Sequence, residues 1–142
     1  MSKKSPKIAD RIAAFHHADR PAHYLGYFDC FNSGQYYEAH DVLEELWLSE
    51  GRTGANYAFY KGLIQLAGAY VHLQKNRLKP SVALFQLAEA NLRQYPEYHQ
   101  GLDLEPIRCL IHTWRSRIEQ GQFTQNPLGQ FADPQLSTPR PP

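Results

Sequence analysis

The sequence predicts an all-α fold, a compact bundle of five to six helices with a buried fourth helix at its centre. Two observations predict it. Apolar residues recur at spacings of three and four along most of the chain, and nowhere do they alternate in a run flanked by turn residues. Prolines and glycines fall between these periodic stretches, where helices begin and end. A length of 142 residues suits a single domain with a real core.

The first helix starts at Ser5 and Pro6 and runs towards Ala18, with a thin stripe of Ile8, Ile12 and Phe15. Pro21 opens a second helix with a stronger stripe of Tyr24, Leu25, Phe28 and Phe31. Asn32-Ser33-Gly34 breaks the chain before a third helix over about Gln35 to Ser49. This N-x-G-x-Y turn between two helices is similar to a tetratricopeptide-type hairpin, but no repeat of that period recurs. Gly51 and Gly54 bracket the next loop. The fourth helix, about Ala55 to Gln74, is apolar around most of its circumference, so it belongs at the centre. Pro80 marks the start of the fifth helix and Pro96 its stop, with Leu84, Phe85, Ala88, Leu92 and Tyr95 facing inward. The sixth enters near Asp103 with Pro106 in its first turn and carries the cleanest stripe, Ile107, Leu110, Ile111, Trp114 and Ile118. No sheet is expected.

Residues 1–120 therefore read as one all-α domain. From Gly121 the periodicity is lost and five of the ten prolines follow. Residues 121–142 read as a Pro-rich tail, disordered or loosely packed and dispensable, with Phe123, Leu128 and Phe131 as residues able to dock on the bundle.

Composition excludes several function classes. A net charge of +1, with 20% charged residues, supplies no basic field for nucleic acid. The most apolar stretch, Gly62 to Leu73, is too short to span a bilayer and no apolar run follows the N-terminal lysines. Cys30 and Cys109 form no C-x-x-C pair and read as buried free thiols, which points to the cytoplasm. His16, His17, His23, His99 and His112 fall in segments that read as exposed. Arg108, Arg115 and Arg117 form a local basic face on the sixth helix.

The third and fourth helices hold the polar residues of interest. On a wheel, Tyr36, Ala39, Leu43, Leu46 and Trp47 share one arc, with His40 at its edge and Glu44 beside it. Glu38, Asp41 and Glu45 fall opposite and read as a solvated acidic face. On the fourth helix Lys61, Gln65 and His72 project along one line, with Gly68 between them. If the two helices pair, the line of Lys61, Gln65 and His72 meets the shoulder of His40 and Glu44. Such groups pair with one another when buried, since an unpaired buried polar group costs about 1–3 kcal/mol. His40, Glu44 and His72 are also ligand types that a divalent metal accepts, with Glu38 or Gln65 placed to orient water. Lys61 opposes an ion there, and the spacing is not H-E-x-x-H. No catalytic residue is assigned and no cofactor motif is present, so a divalent metal is the one cofactor class these residues admit.

The segment Phe31-Asn32-Ser33-Gly34-Gln35-Tyr36-Tyr37-Glu38-Ala39-His40-Asp41-Val42-Leu43-Glu44-Glu45-Leu46-Trp47 resembles the signature of the Domain of Unknown Function 309 family. Tyr60-Lys61-Gly62-Leu63-Ile64-Gln65-Leu66-Ala67-Gly68-Ala69-Tyr70-Val71-His72-Leu73-Gln74 is similar to its second signature. The resemblance covers about residues 22 to 95 and implies a small all-α domain with no established activity. The matching positions include Glu38, His40, Glu44, Gln65 and His72, which makes these five the candidate polar cluster, while Asp41 stands where that family usually reads Glu, and Lys61 where glutamine is common. The leading expectation is a non-catalytic module that binds a protein or small molecule in a groove beside the third and fourth helices, without nucleic acid or membrane. The alternative is a metal-dependent hydrolase or similar small-molecule enzyme using the same cluster.

Overall fold

The computed structural model describes residues 5–16 and 19–142. Ala18 and His17 lie outside these residues, as does the lysine-bearing start of the chain. Six α-helices dominate the described residues: α1 (Ser5–Ile12), α2 (Ala22–Asn32), α3 (Tyr36–Glu50), α4 (Tyr57–Gln74), α5 (Leu78–Leu92) and α6 (Glu105–Gln120). A 3-10 turn, Ala13–Phe15, follows α1. The first helix is thus shorter than its periodicity suggests. Pro80 lies in the first turn of α5, where a missing N–H is tolerated.

Helix α4 is the axis of the bundle. Its apolar residues are buried between α3 on one side and α5 on the other, which is why the sequence is apolar nearly all round. Gly62 permits the close approach of α5: a Cβ there would meet the Leu92 side chain at 3.0 Å and the Ala88 carbonyl at 3.2 Å. Ser81 on α5, fully buried, donates its hydroxyl to the Ala69 carbonyl at 2.9 Å and fixes the register of the pair. Helices α2 and α3 form the expected hairpin through Ser33–Gln35, and Gly34 supplies the left-handed residue (φ +76°). Tyr27 on α2 reaches across to donate to the Leu63 carbonyl of α4 at 2.6 Å. Trp114 of α6 closes the core edge-on to Tyr70, with ring centroids 5.2 Å apart.

Two expectations need correction. A small antiparallel ribbon exists: β1 (Tyr98–His99) pairs with β2 (Leu102–Asp103) around a turn at Gln100 and Gly101. Two-residue strands are too short to show alternation, so sequence periodicity has nothing to register. The tail, moreover, is held by specific bonds. The Asn32 side chain donates to the Leu136 carbonyl at 2.8 Å and accepts from the Leu136 N–H at 2.7 Å. Leu136 is 7% exposed. The Arg140 N–H bonds the Gly101 carbonyl at 2.9 Å, and Arg20 Nε bonds the Arg140 carbonyl at 2.6 Å. A Cβ on Gly101 would run into the Arg140 backbone. Composition measures apolar content, whereas this tail is retained through its backbone groups. Of the three residues expected to dock it, Leu128 packs on the core while Phe123 and Phe131 remain exposed.

Candidate functional site

The hairpin α2–α3 and the pairing of α3 with α4 bring together only part of the expected cluster. His40 from α3 and Gln65, Gly68 and His72 from α4 line one cavity of about 230 Å³. Tyr37, Ile64, Val71, Lys75 and Leu84 complete its wall. Gly68 sits at the floor: a Cβ there would lie 3.1 Å from Leu84 Cδ1 and 4.0 Å from His40 Cδ2. The small residue on the polar line is therefore what leaves space between α3 and α5. The polar groups share the cavity without bonding across it. His40 Nδ1 lies 3.1 Å from Asp41 Oδ1, and Gln65 Oε1 accepts from Asn91 Nδ2 at 2.7 Å.

His72 is the odd member. Its Nδ1 is buried and has no hydrogen-bond partner. Burial, followed by the nearby charges of Arg77 and Lys75, holds its pKa below the ordinary 6.5. Tyr37, 58% exposed, lies parallel to the His40 ring with centroids 6.4 Å apart, at the rim of the cavity.

Glu44 and Glu38 do not line the cavity. Glu38 lies on the Cys30 side of α3. Burial pushes the Cys30 thiol up, Arg11 opposes the rise, and Asp29 and Glu38 add to it. Glu44 instead groups with His40 and Asp41: one ligand-type atom from each falls within 4.8 Å of the others. Asp41 overturns the reading of a solvated face, being only 9% exposed. Helix α3 packs against both α2 and α4, so it is covered over more than its apolar arc. Glu45 is also engaged, with Oε1 2.7 Å from His23 Nε2.

Several bystanders change role. His99 is half-buried, bonded to Asn56 Oδ1 at 2.6 Å, and burial lowers its pKa. Cys109 is exposed rather than buried. The arginines of α6 do not form a free basic face: Arg108 pairs with Glu97 and Glu105, Arg115 with Glu89 and Glu119. Arg117 lies over the rings of Trp114 and Phe131. Lys61 sits 5.9 Å from the Tyr57 ring centroid and lines no part of the cavity.

With this geometry in place, the comparisons gain a location. Residues 24–84 match the sequence model described as "Domain of unknown function (DUF309)". The match covers less than half of the chain. A search among curated proteins finds no match for the chain. The matched segment runs from α2 into α5 and contributes every residue of the cavity wall. Helix α6 and the tail add to it from outside. Among the described residues, no helix is long and apolar enough to cross a membrane.

Proposed function

We propose that the chain is a non-catalytic binding module whose site is the cavity between α3, α4 and α5, and that its ligand is a small molecule. The convergence of His40, Gln65 and His72 on one partly apolar cavity carries this reading. Ligand sites are commonly concave, mostly apolar and furnished with a few converging polar groups. The unpartnered His72 Nδ1 supports it further, because buried polar atoms usually have partners. A fragment screen monitored by NMR, reading the imidazole resonances of His40 and His72, tests it. Binders should move both histidines and lose affinity when Gly68→Leu fills the floor. A screen in which no fragment moves either ring at millimolar concentration rejects the module.

One observation favours a second reading. The grouping of His40, Asp41 and Glu44 on a single turn of α3 has the donor types of a divalent-metal site. An ion held there would border the cavity through His40 and would lower the pKa of a bound water, as a small hydrolase requires. Elemental analysis of protein purified without an affinity tag decides the matter. Near-stoichiometric metal, lost in His40→Ala, supports the enzyme. Metal below about a tenth of an equivalent removes it.

A further inference from the structure

We infer that the ligand of this cavity is a small organic anion with an apolar body, a carboxylate on a short hydrocarbon chain. The inference rests on the binding-module reading and names its ligand class.

Hydrogen-bond bookkeeping points to it. A ligand must complement whatever the wall has left to offer. Gln65 has committed one lone pair of its acceptor: Oε1 takes the Asn91 amide hydrogen at 2.7 Å. That orientation is reinforced because Asn91 Oδ1 itself accepts from Gln94 Nε2 at 3.4 Å. What remains of Gln65 is mainly donor, the two hydrogens of its NH₂ against one lone pair. Lys75 offers an ammonium, donor only. The neutral His72 ring carries one N–H and one acceptor nitrogen. His40 turns Nδ1 to the acceptor-only carboxylate of Asp41, so that N–H is spent and its other nitrogen is no added donor. The donors in excess on the wall are those of Gln65 and Lys75.

Charge agrees. Lys75 is the sole side chain with a permanent charge on the wall, and neither Asp nor Glu lines it. The carboxylates of Asp41 and Glu44 group with His40 and are absent from the lining. Lys75 and Arg77 together make the surroundings of His72 positive. The C-terminal end of α4 opposes an anion only weakly, because its carbonyls are occupied. Arg77 N–H bonds the His72 carbonyl at 2.8 Å, and Asn76 N–H bonds that of Leu73 at 3.0 Å. The rest of the wall is Ile64, Val71, Leu84 and the Tyr37 ring, which suits a hydrocarbon chain and not a bare inorganic ion.

Calorimetry and NMR on the full chain with octanoate, octanol and octylamine test the assignment. Octanoate should bind at least about tenfold more tightly than octanol, as an added charge-assisted hydrogen bond implies. Octylamine should be weakest. Lys75→Met should weaken octanoate by about fivefold, the scale of a partly exposed ion pair, and leave octanol unchanged. Gln65→Glu, which turns the remaining donor into a like charge, should weaken octanoate by roughly tenfold or more. Octanol or octylamine matching octanoate at the His72 resonance would overturn the anion while leaving the cavity a binding site. Silence from all three probes also overturns it, and the fragment screen then decides separately whether the cavity binds at all. Lys75→Met, on an exposed residue, keeps the test open should Gln65→Glu fail to fold.

Discussion

Two side-chain amides divide this molecule. Asn32, at the end of α2, uses both its oxygen and its nitrogen on the Leu136 backbone, and its own carbonyl takes Gln135 Nε2 at 3.1 Å. Gln65, in the middle of α4, uses its oxygen on Asn91 and leaves its nitrogen to an open cavity. The first amide is engaged at both its oxygen and its nitrogen, and the contacts around it are cohesive. The second is engaged at its oxygen alone, beside a histidine nitrogen with no partner at all. Two-sided engagement marks where the chain recognises itself. Unused valence marks where it can recognise something else.

The sharpest way to break that contrast is to remove the tail. Ending the chain at Gln120 exposes the Leu136 socket and strips Asn32 of its partners. The expected loss is about 3–5 kcal/mol, combining one buried leucine with the unsatisfied amide. Urea denaturation measures it directly, and a loss under about 1 kcal/mol would show that the tail merely rests on the bundle. Asn32→Ala asks the same of a single side chain. It should cost roughly 1–3 kcal/mol, since a backbone N–H and carbonyl lose their partner together. Binding in the α3–α4–α5 cavity should be unaffected, because Asn32 lines no part of it.

On the other side of the comparison, Gly68→Ala should change stability by no more than ~1 kcal/mol. Alanine gains helix propensity, while its Cβ must displace Leu84 Cδ1 by a few tenths of an ångström. Fragment affinity in the cavity should nevertheless fall, because the added methyl occupies its floor. Equal affinity in this variant would place the binding elsewhere.

The smallest effect concerns pH. His72 and His99 both have pKa values lowered by burial from the usual 6.5. The unfolded chain therefore takes up these protons first. Their contribution to stability is complete above pH 6.5 and is lost as pH falls through the lower folded values. The urea midpoint should drop between pH 7.5 and pH 5.5, and the drop should shrink in His72→Gln and His99→Gln. An undiminished drop in both would assign it to other groups.

How much of this was legible beforehand follows the same division. The bundle was readable because α4, α5 and α6 are built by apolar periodicity, and Gly62 and Gly68 announced close helix contacts. His40, Gln65 and His72 were readable as polar residues bordering apolar arcs. Asp41 was not, because one wheel cannot show that α3 is covered by two neighbours. Glu44 was placed in the cluster by spacing along one helix and Glu38 by the family resemblance, but which wall they line depends on how α3 is rotated against α4. The tail was the hardest. Its hold depends on the shape of a distant backbone, at Gly101 and beside Asn32, and no local pattern in residues 121–142 encodes that.

The route of the tail also orders events in time. Its bonds join residues separated by 104 positions at Asn32–Leu136 and 120 at Arg20–Arg140, whereas α2 to α5 pair with their sequence neighbours. Contacts of such long reach form after local ones, and a chain emerging N-terminus first completes α2 to α5 before residues 134–142 exist. Each newly made molecule therefore passes through a stage in which the bundle is assembled but its seam is still open. During that stage the socket for Leu136 and both ends of the Asn32 amide face solvent, and only the arrival of the last residues seals them.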